Sequence, residues 1–231
     1  MKSLMTGIAA AAILAVSAMS AQATTTFNLG GSFPGGFSLD YSEGGIGLNV
    51  TGGTFSSSTP GSETVSGGAF VNRGSDGIGV SSGLIENPEV DGDHSNDVAI
   101  FSFDQAVKLV SVTFSHYDDE TQSTDFFTCL FTGVCYVPAP DDEFSFLADT
   151  DNNGSLNLIT TNSDGNPYVF SPSPIGDLFG IGAWDNNDDF RIASIEVSAV
   201  PLPAALPLYG AGLAVMGFAG WRKRRKAAAA A

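Results

Sequence analysis

The sharpest local motif in this chain is DTDNNG, residues 149–154. Asp149, Asp151 and Asn153 occupy positions 1, 3 and 5 of the calcium-loop pattern D-x-[DN]-x-[DN]-G, and Gly154 fills the position of the sharp turn. Carboxylate and amide oxygens at this spacing can surround one Ca²⁺ ion. The motif therefore predicts a calcium site with these three side chains as ligands.

The second half of the calcium pattern is absent. Position 12 is Thr160 where the pattern has a bidentate glutamate, and the flanking residues are typical of strands instead of helices. An Asn-Gly pair between two alternating apolar runs is also a strong signal for a hairpin turn. Two interpretations stay open, a calcium-stabilised loop and a turn that binds no ion, and neither is an EF-hand.

Weaker signals for chemistry occur elsewhere. The acidic segments EVDGD (89–93) and WDNNDDF (184–190) would join their carboxylates if they met at one rim of the fold, although solvated loop tips are the simpler interpretation. GVSSG matches the nucleophile motif G-x-S-x-G around Ser81, but Pro88 and the lack of helical pattern argue against a nucleophile elbow. The aromatic side chains that can stack on sugar rings are Tyr117, Tyr136, Tyr168 and Trp184.

The chain has two cysteines, Cys129 and Cys135, in the segment CLFTGVC. A zinc site would need two more ligands, and the chain has only two histidines to supply them. An even cysteine count in an exported chain favours a disulfide. We expect this pair to close a small loop at the tip of a hairpin.

Charge is divided very unevenly along the chain. All 25 acidic residues lie within residues 24–199, and with only Arg73, Lys108 and Arg191 to oppose them this body has a net charge of −22. Nucleic acid and anionic lipid are therefore not expected partners of the body, because both would be repelled. Such acidity suits a soluble surface protein, and it also suits divalent cations.

The body has the pattern of a β-protein. No stretch sustains a 3.6-residue apolar period, and short alternating or apolar runs recur between Gly, Asn, Asp, Ser and Pro. In the last run, FRIASIEVSAV, the imperfect alternation predicts a bulge near Ala193 and Ser194. Residues 24–97 are richer in Gly and Ser, which predicts edge strands and long loops. The predicted strands cover residues 98–104, 107–117, 125–131, 143–149, 155–161, 167–171, 178–184 and 190–200.

The N-terminus has the features of a secretory signal peptide. Lys2 precedes an apolar stretch, and Ala21 and Ala23 supply the small residues that a signal peptidase requires. We expect cleavage after Ala23. The apolar stretch is short and alanine-rich, which disfavours a first membrane span.

The C-terminus combines three features in a fixed order. VPLPA comes first, formed by Val200, Pro201, Leu202, Pro203 and Ala204. An apolar run, 208–221, follows; as a helix it would span about 21 Å against a hydrocarbon core of about 30 Å, so it is marginal as a permanent anchor. The basic cluster comes last and predicts a cytoplasmic stop: Arg222, Lys223, Arg224, Arg225 and Lys226.

This order resembles the PEP-CTERM class of C-terminal sorting signals, in its VPLPA variant. The resemblance implies a protein of a Gram-negative bacterium that is exported and held transiently in the inner membrane. An exosortase would then process it for the cell surface or an extracellular matrix, and the class is often associated with exopolysaccharide and biofilm. The match covers about 30 residues and does not extend to an activity of the body.

The sequence therefore predicts a signal peptide (1–23), a body (24–199), a sorting signal with a short transmembrane helix (200–226) and an alanine tail (227–231). For the body we expect a single jelly-roll-like antiparallel β-sandwich. The leading interpretation is a non-catalytic surface or matrix protein that binds polysaccharide, with Ca²⁺ as the one candidate ion. The alternatives are a secreted hydrolase acting on polysaccharide and a permanently anchored membrane protein.

Overall fold

Antiparallel strands build the body wherever the computed structural model describes it. The described residues are 23–32, 34–57, 59–61, 63–83, 88–93, 95–117, 121–123, 136–138, 142–200, 212–213 and 216–217. The strands are β1 (Thr24–Asn28), β2 (Ser38–Glu43), β3 (Ile46–Phe55), β4 (Val65–Gly74), β5 (Gly77–Ser81), β6 (Val90–Asp91), β7 (Asp97–Ser115), β8 (Thr121–Ser123), β9 (Tyr136–Pro138), β10 (Phe144–Ala148), β11 (Asn157–Ser163), β12 (Tyr168–Val169), β13 (Ile175–Gly182) and β14 (Asp189–Ala199). The predicted all-β class is confirmed.

The chain divides into two compact units, Met1–Ala199 and Val200–Ala231. In the second unit the described residues beyond Val200 are 212–213 and 216–217, which have helical backbone. Across the described residues, no helix has the length and apolarity that crossing a bilayer requires.

Several predicted features lie outside the described residues. They include most of the signal peptide (1–22), four positions of the sorting motif (201–204) and the basic cluster (222–226). Cys129 and Cys135 also lie outside, together with the predicted strand 125–131. On either side of the cysteine segment, β8 and β9 pair as an antiparallel ribbon.

One long strand, β7, organises the sheet. The sequence predicted two strands here, 98–104 and 107–117, and this prediction was wrong because the chain continues through residues 104–106 as one strand. The first half of β7 pairs with β3 and β13, and the second half pairs mainly with β14. Because each half of β7 has its own partners, the backbone N–H and C=O groups before and after residues 104–106 are hydrogen-bonded, and the strand does not end there.

The C-terminal strands follow their predicted positions closely. Strands β10, β11, β13 and β14 each overlap the run predicted for them, and β12 is a two-residue remnant of the predicted strand 167–171. In the β14–β7 ladder the register shifts between Ile192 and Ser194. The bulge predicted near Ala193 and Ser194 is therefore confirmed.

The prediction of edge strands for residues 24–97 was wrong for β3. This strand lies beside β7 in the middle of the sheet, with β2 and β4 along its other side. Its glycines mark close backbone contact: a Cβ on Gly52 would lie 2.8 Å from the Ala69 carbonyl oxygen, and one on Gly53 would lie 2.6 Å from that of Ser66. Glycine here permits a bulged approach between strands, a role that composition does not distinguish from an edge.

A single main core fills the space that the strands enclose. It takes inward side chains from β1, β3, β4, β5, β7, β10, β13 and β14. Aromatic rings form a continuous series of contacts through it, with centroids 4.7–6.1 Å apart, as offset aromatic pairs prefer. These rings are Phe27, Phe103, Phe179, Phe146, Phe170, Tyr168, Phe144, Phe114, Tyr117 and Phe190.

The strands form a closed circuit, and its weakest contact, which we call the seam, lies between β5 and β14. β14 pairs with β5, β5 with β4, β4 with β3, β3 with β7, and β7 with β14 again. In this circuit β5 and β14 meet through one residue pair, Ile192 with Ile78. Few backbone hydrogen bonds therefore hold the seam together.

A charged cluster of Asp76, Glu89, His116 and Arg191 lies next to that pair. The His116 ring contacts both acids, with Nε2 2.8 Å from Asp76 Oδ2 and Nδ1 2.5 Å from Glu89 Oε1. Arg191, which is buried, lies 3.5 Å from Glu89 and 3.8 Å from Asp76. The four side chains come from four separate parts of the body, so their attraction adds cross-links where backbone pairing is sparse.

Replacing His116 should lower stability, because its ring contacts both acids of the charged cluster. His116→Asn, which tolerates the left-handed backbone at φ 57°, should lower the free energy of unfolding by about 0.5–1 kcal/mol.

Urea unfolding of the full chain measures this loss. Lys108→Gln is the matched control, because it removes an exposed cation of β7, the strand that His116 follows, outside the charged cluster. A loss of unfolding free energy by His116→Asn no larger than that by Lys108→Gln would contradict the assignment.

Candidate functional site

The DTDNNG loop is held by the carboxylate of its first residue. Asp149 follows β10 directly and is buried. Its Oδ1 accepts the backbone N–H groups of Asp151 and Asn153 at 3.3 and 3.2 Å, and its Oδ2 accepts that of Gly154 at 2.8 Å. One carboxylate therefore satisfies three backbone donors that the turn leaves unpaired.

The other two predicted ligands also lie within this loop. The Asn153 amide donates to Asp151 Oδ2 at 2.8 Å, and its oxygen accepts the Ser155 N–H at 2.7 Å. Asn152 and Gly154 have left-handed backbone, at φ 53° and 81°. The structure thus brings Asp149, Asp151 and Asn153 together, as the spacing predicted.

The connection is longer than the two-residue turn that the Asn-Gly pair can form. β10 and β11 do pair as an antiparallel hairpin, but the last register pair is Ala148 with Asn157, so residues 149–156 form the loop. Across residues 149–156, the hydrogen bonds to Asp149 take the place of backbone hydrogen bonds between the two strands. The connection is therefore an eight-residue loop and not a two-residue turn.

The environment of Asp149 favours its ionised form. Burial acts to raise the pKa of Asp149, but the N–H groups of Gly154, Asn153 and Asp151 outweigh it, and the pKa lies below its ordinary value. The charged carboxylate is therefore the form that holds the loop closed.

The loop borders a groove of about 330 Å³. The lining of this groove includes Asp149, Asn152 and Gly154 of the loop and Asp177 of β13. Asp177 sits at a register shift between Gly176 and Leu178, so it was missed by sequence reasoning, which had no signal for that bulge. The groove is therefore lined by a second carboxylate besides that of Asp149.

In the part of the chain that the structure describes, no three His, Cys, Asp or Glu side chains are grouped as a metal site. The predicted set contains two aspartates and an asparagine, so this finding does not address it. Asp149, Asp151 and Asn153 carry the oxygen donors that Ca²⁺ prefers. Calcium binding at this loop stays a prediction.

The two acidic segments near residues 91 and 189 do meet. β6 pairs with β14, with Asp91 opposite Asp189. The buried Asp188 accepts the N–H groups of Glu143 at 3.1 Å and Asp185 at 2.9 Å. Burial raises the pKa of Asp188, while these bonds and that from Trp184 act to lower it. The carboxylate anchors two loops to the end of the sheet.

The other sequence signals have structural roles. Ser81 is the last residue of β5 and accepts a hydrogen bond from the Asn72 amide at 2.6 Å, so it lies on a strand and not at a strand-to-helix turn. Of the aromatic side chains that the sequence offers for sugar stacking, Tyr117 is buried, whereas Tyr168 and Trp184 are partly exposed. Tyr117 and Tyr168 pack against phenylalanines of the main core, and Trp184 packs on Phe55. The side chain of Tyr136 lies outside the described set.

Comparison of the chain with protein-family models, with curated proteins and with solved structures found no match.

Removing the Asp149 charge should open the loop. Asp149→Asn keeps one acceptor oxygen and places an amide donor against backbone N–H groups, so Tm should fall by several degrees at pH 7. Asp151→Asn, at an exposed position, should have a smaller effect. Because the pKa of Asp149 is depressed, its contribution is present above about pH 4 and is lost at lower pH, so the Tm difference from wild type should shrink in acid. A difference independent of pH would contradict this.

If the loop binds calcium, millimolar Ca²⁺ should raise Tm relative to a chelator, because an ion that binds only the folded state stabilises it. Asp151→Asn removes one ligand charge while leaving the Asp149 bonds in place, and it should weaken the shift. Thermal melts of wild type and this variant, with Mg²⁺ as a control, measure it. An unchanged Tm in millimolar Ca²⁺ would count against the site.

Proposed function

We propose that this chain is an exported surface or extracellular-matrix protein of a Gram-negative bacterium, processed at its C-terminus by an exosortase. The observation that carries the proposal is the order of VPLPA, a short apolar run and RKRRK over residues 200–226. The distribution of charge supports it, because the acidic body stays outside the inner membrane while the basic cluster stays in the cytoplasm. Signal peptidase, exosortase and the inner membrane are the partners of this route.

The positions of the first and last strands are compatible with cleavage at both ends of the body. β1 begins at Thr24, directly after the proposed signal-peptide cleavage, and β14 ends at Ala199, directly before the sorting motif. The two strands are neighbours, with Thr24 opposite Ser198. Cleavage after Ala23 and near residues 200–204 would therefore leave every β1–β14 pair in place.

For the body we propose a non-catalytic binding or structural role, on a jelly-roll-like β-sandwich. The division of partners along β7 supports two layers, one joined to its first half through β3 and β13 and one joined to its second half through β14. The DTDNNG loop is the proposed place for a stabilising Ca²⁺. Exopolysaccharide is the proposed matrix partner.

Intact mass measurement of the protein from the native envelope and culture medium tests the processing. We expect an N-terminus at Thr24 and a C-terminus within or next to residues 200–204. Exchange of both Pro201 and Pro203 for alanine should leave the basic cluster attached, whereas Pro207→Ala, outside the motif, should be processed normally. Mature protein that retains residues 222–226 would contradict the proposal and favour a permanent anchor.

A further inference from the structure

A second groove, of about 540 Å³, lies at β4 and β5, within the size range of small-ligand sites. Its aromatic side is formed by Phe37 and Phe70, whose ring centroids are 5.5 Å apart at 85°. Its polar side includes Asn72, Ser81 and Ser82. The groove shares no lining residue with the DTDNNG groove.

Phe37 is unusual because its ring is exposed. It is 68% exposed, and it is the aromatic member among the exposed large hydrophobic residues of the described chain. Exposed apolar area of this kind commonly marks a binding surface. The preceding residue is fixed, since Gly36 and Val71 exchange backbone hydrogen bonds at 2.8 and 3.0 Å. The ring is therefore presented from an anchored backbone and held edge-on by Phe70.

The polar side chains of the groove are also held in place, by hydrogen bonds. The Asn72 amide donates to the Ser81 hydroxyl at 2.6 Å, and the Ser82 hydroxyl contacts that of Ser95. Hydroxyl and amide groups can both donate and accept, and they suit a ligand that carries hydroxyls. Next to an aromatic face, they provide the combination of an apolar platform and a few placed polar groups.

Among the residues that the structure describes, the lining carries no charged side chain, although the body has a net charge of −22. An anionic ligand would be repelled by the surrounding field and would find no cation in the lining. A cationic ligand would be attracted instead to the acidic loops. The groove therefore favours an uncharged ligand.

We propose that this groove binds an uncharged polysaccharide chain, with the C–H face of one sugar ring against Phe37 and its hydroxyls hydrogen-bonded on the Asn72 and Ser82 side. The inference rests on the proposed function in that it names the matrix partner of the exported protein. The negative charge of the body and the lack of a cation in the described lining exclude an acidic polysaccharide from this site.

Affinity electrophoresis tests the site with the full chain, kept in a detergent that has no sugar head group. The probes are dextran and hydroxyethyl cellulose as neutral polysaccharides and alginate as the acidic one. We expect retardation by a neutral probe and none by alginate. Phe37→Ala should raise the dissociation constant about tenfold, the scale of one lost aromatic contact, and Phe37→Tyr should retain binding. Ile175→Ala is the matched control, because Ile175 is 62% exposed and lies outside the groove.

Three results would overturn the proposal: no binding of either neutral probe, binding that Phe37→Ala leaves unchanged, or equal retardation by alginate. A dimer that Phe37→Ala converts to a monomer would also overturn it, in favour of a second copy of the chain on this surface. The mass of the mature C-terminus does not depend on the groove. Failure here with normal processing at residues 200–204 would therefore leave the proposed export route intact.

Discussion

The body depends on the burial of one strand, β7, along most of its length. Its inward side chains include Phe101, Leu109 and Phe114, and its two halves pair with different neighbours. Buried backbone groups are hydrogen-bonded almost without exception, and the two halves of this 19-residue strand find their partners in different strands. Strands from the beginning, middle and end of the chain are thereby drawn around one core.

That arrangement explains where other interactions are needed. The strands curve until β5 and β14 approach, but they meet at one residue pair, so the charged cluster around His116 and Arg191 supplements the seam. Inside, the aromatic rings fill the core with large, rigid groups that cost little side-chain entropy. Burying the ring of each such residue contributes about 1.5–3 kcal/mol, which is why the core rather than the seam carries most of the stability.

The large acidic excess is used in part as internal structure. Asp149 and Asp188 are buried, and each accepts backbone N–H groups from a loop that no strand pairs. The buried Asp142 accepts the N–H of Asp189, the first residue of β14, at 3.3 Å. A carboxylate can accept several such donors at once, which offsets part of the cost of burying it. The buried carboxylates of these acid-rich segments therefore have a structural role, because they hold the backbone around them in place.

The sequence by itself determined the features that depend on neighbouring residues: the strands β10, β13 and β14, the bulge at Ala193, the gathering of Asp149, Asp151 and Asn153, and the partition of charge. Alternation and turn chemistry are local, so they can be read without the fold. The tertiary structure alone decided that β7 is continuous, that β3 is central, that Asp177 lines the same groove as the DTDNNG loop and that Phe37 is exposed while Tyr117 is buried. These depend on which distant strands pair, because pairing decides both whether a strand ends and which side chains remain in contact with water.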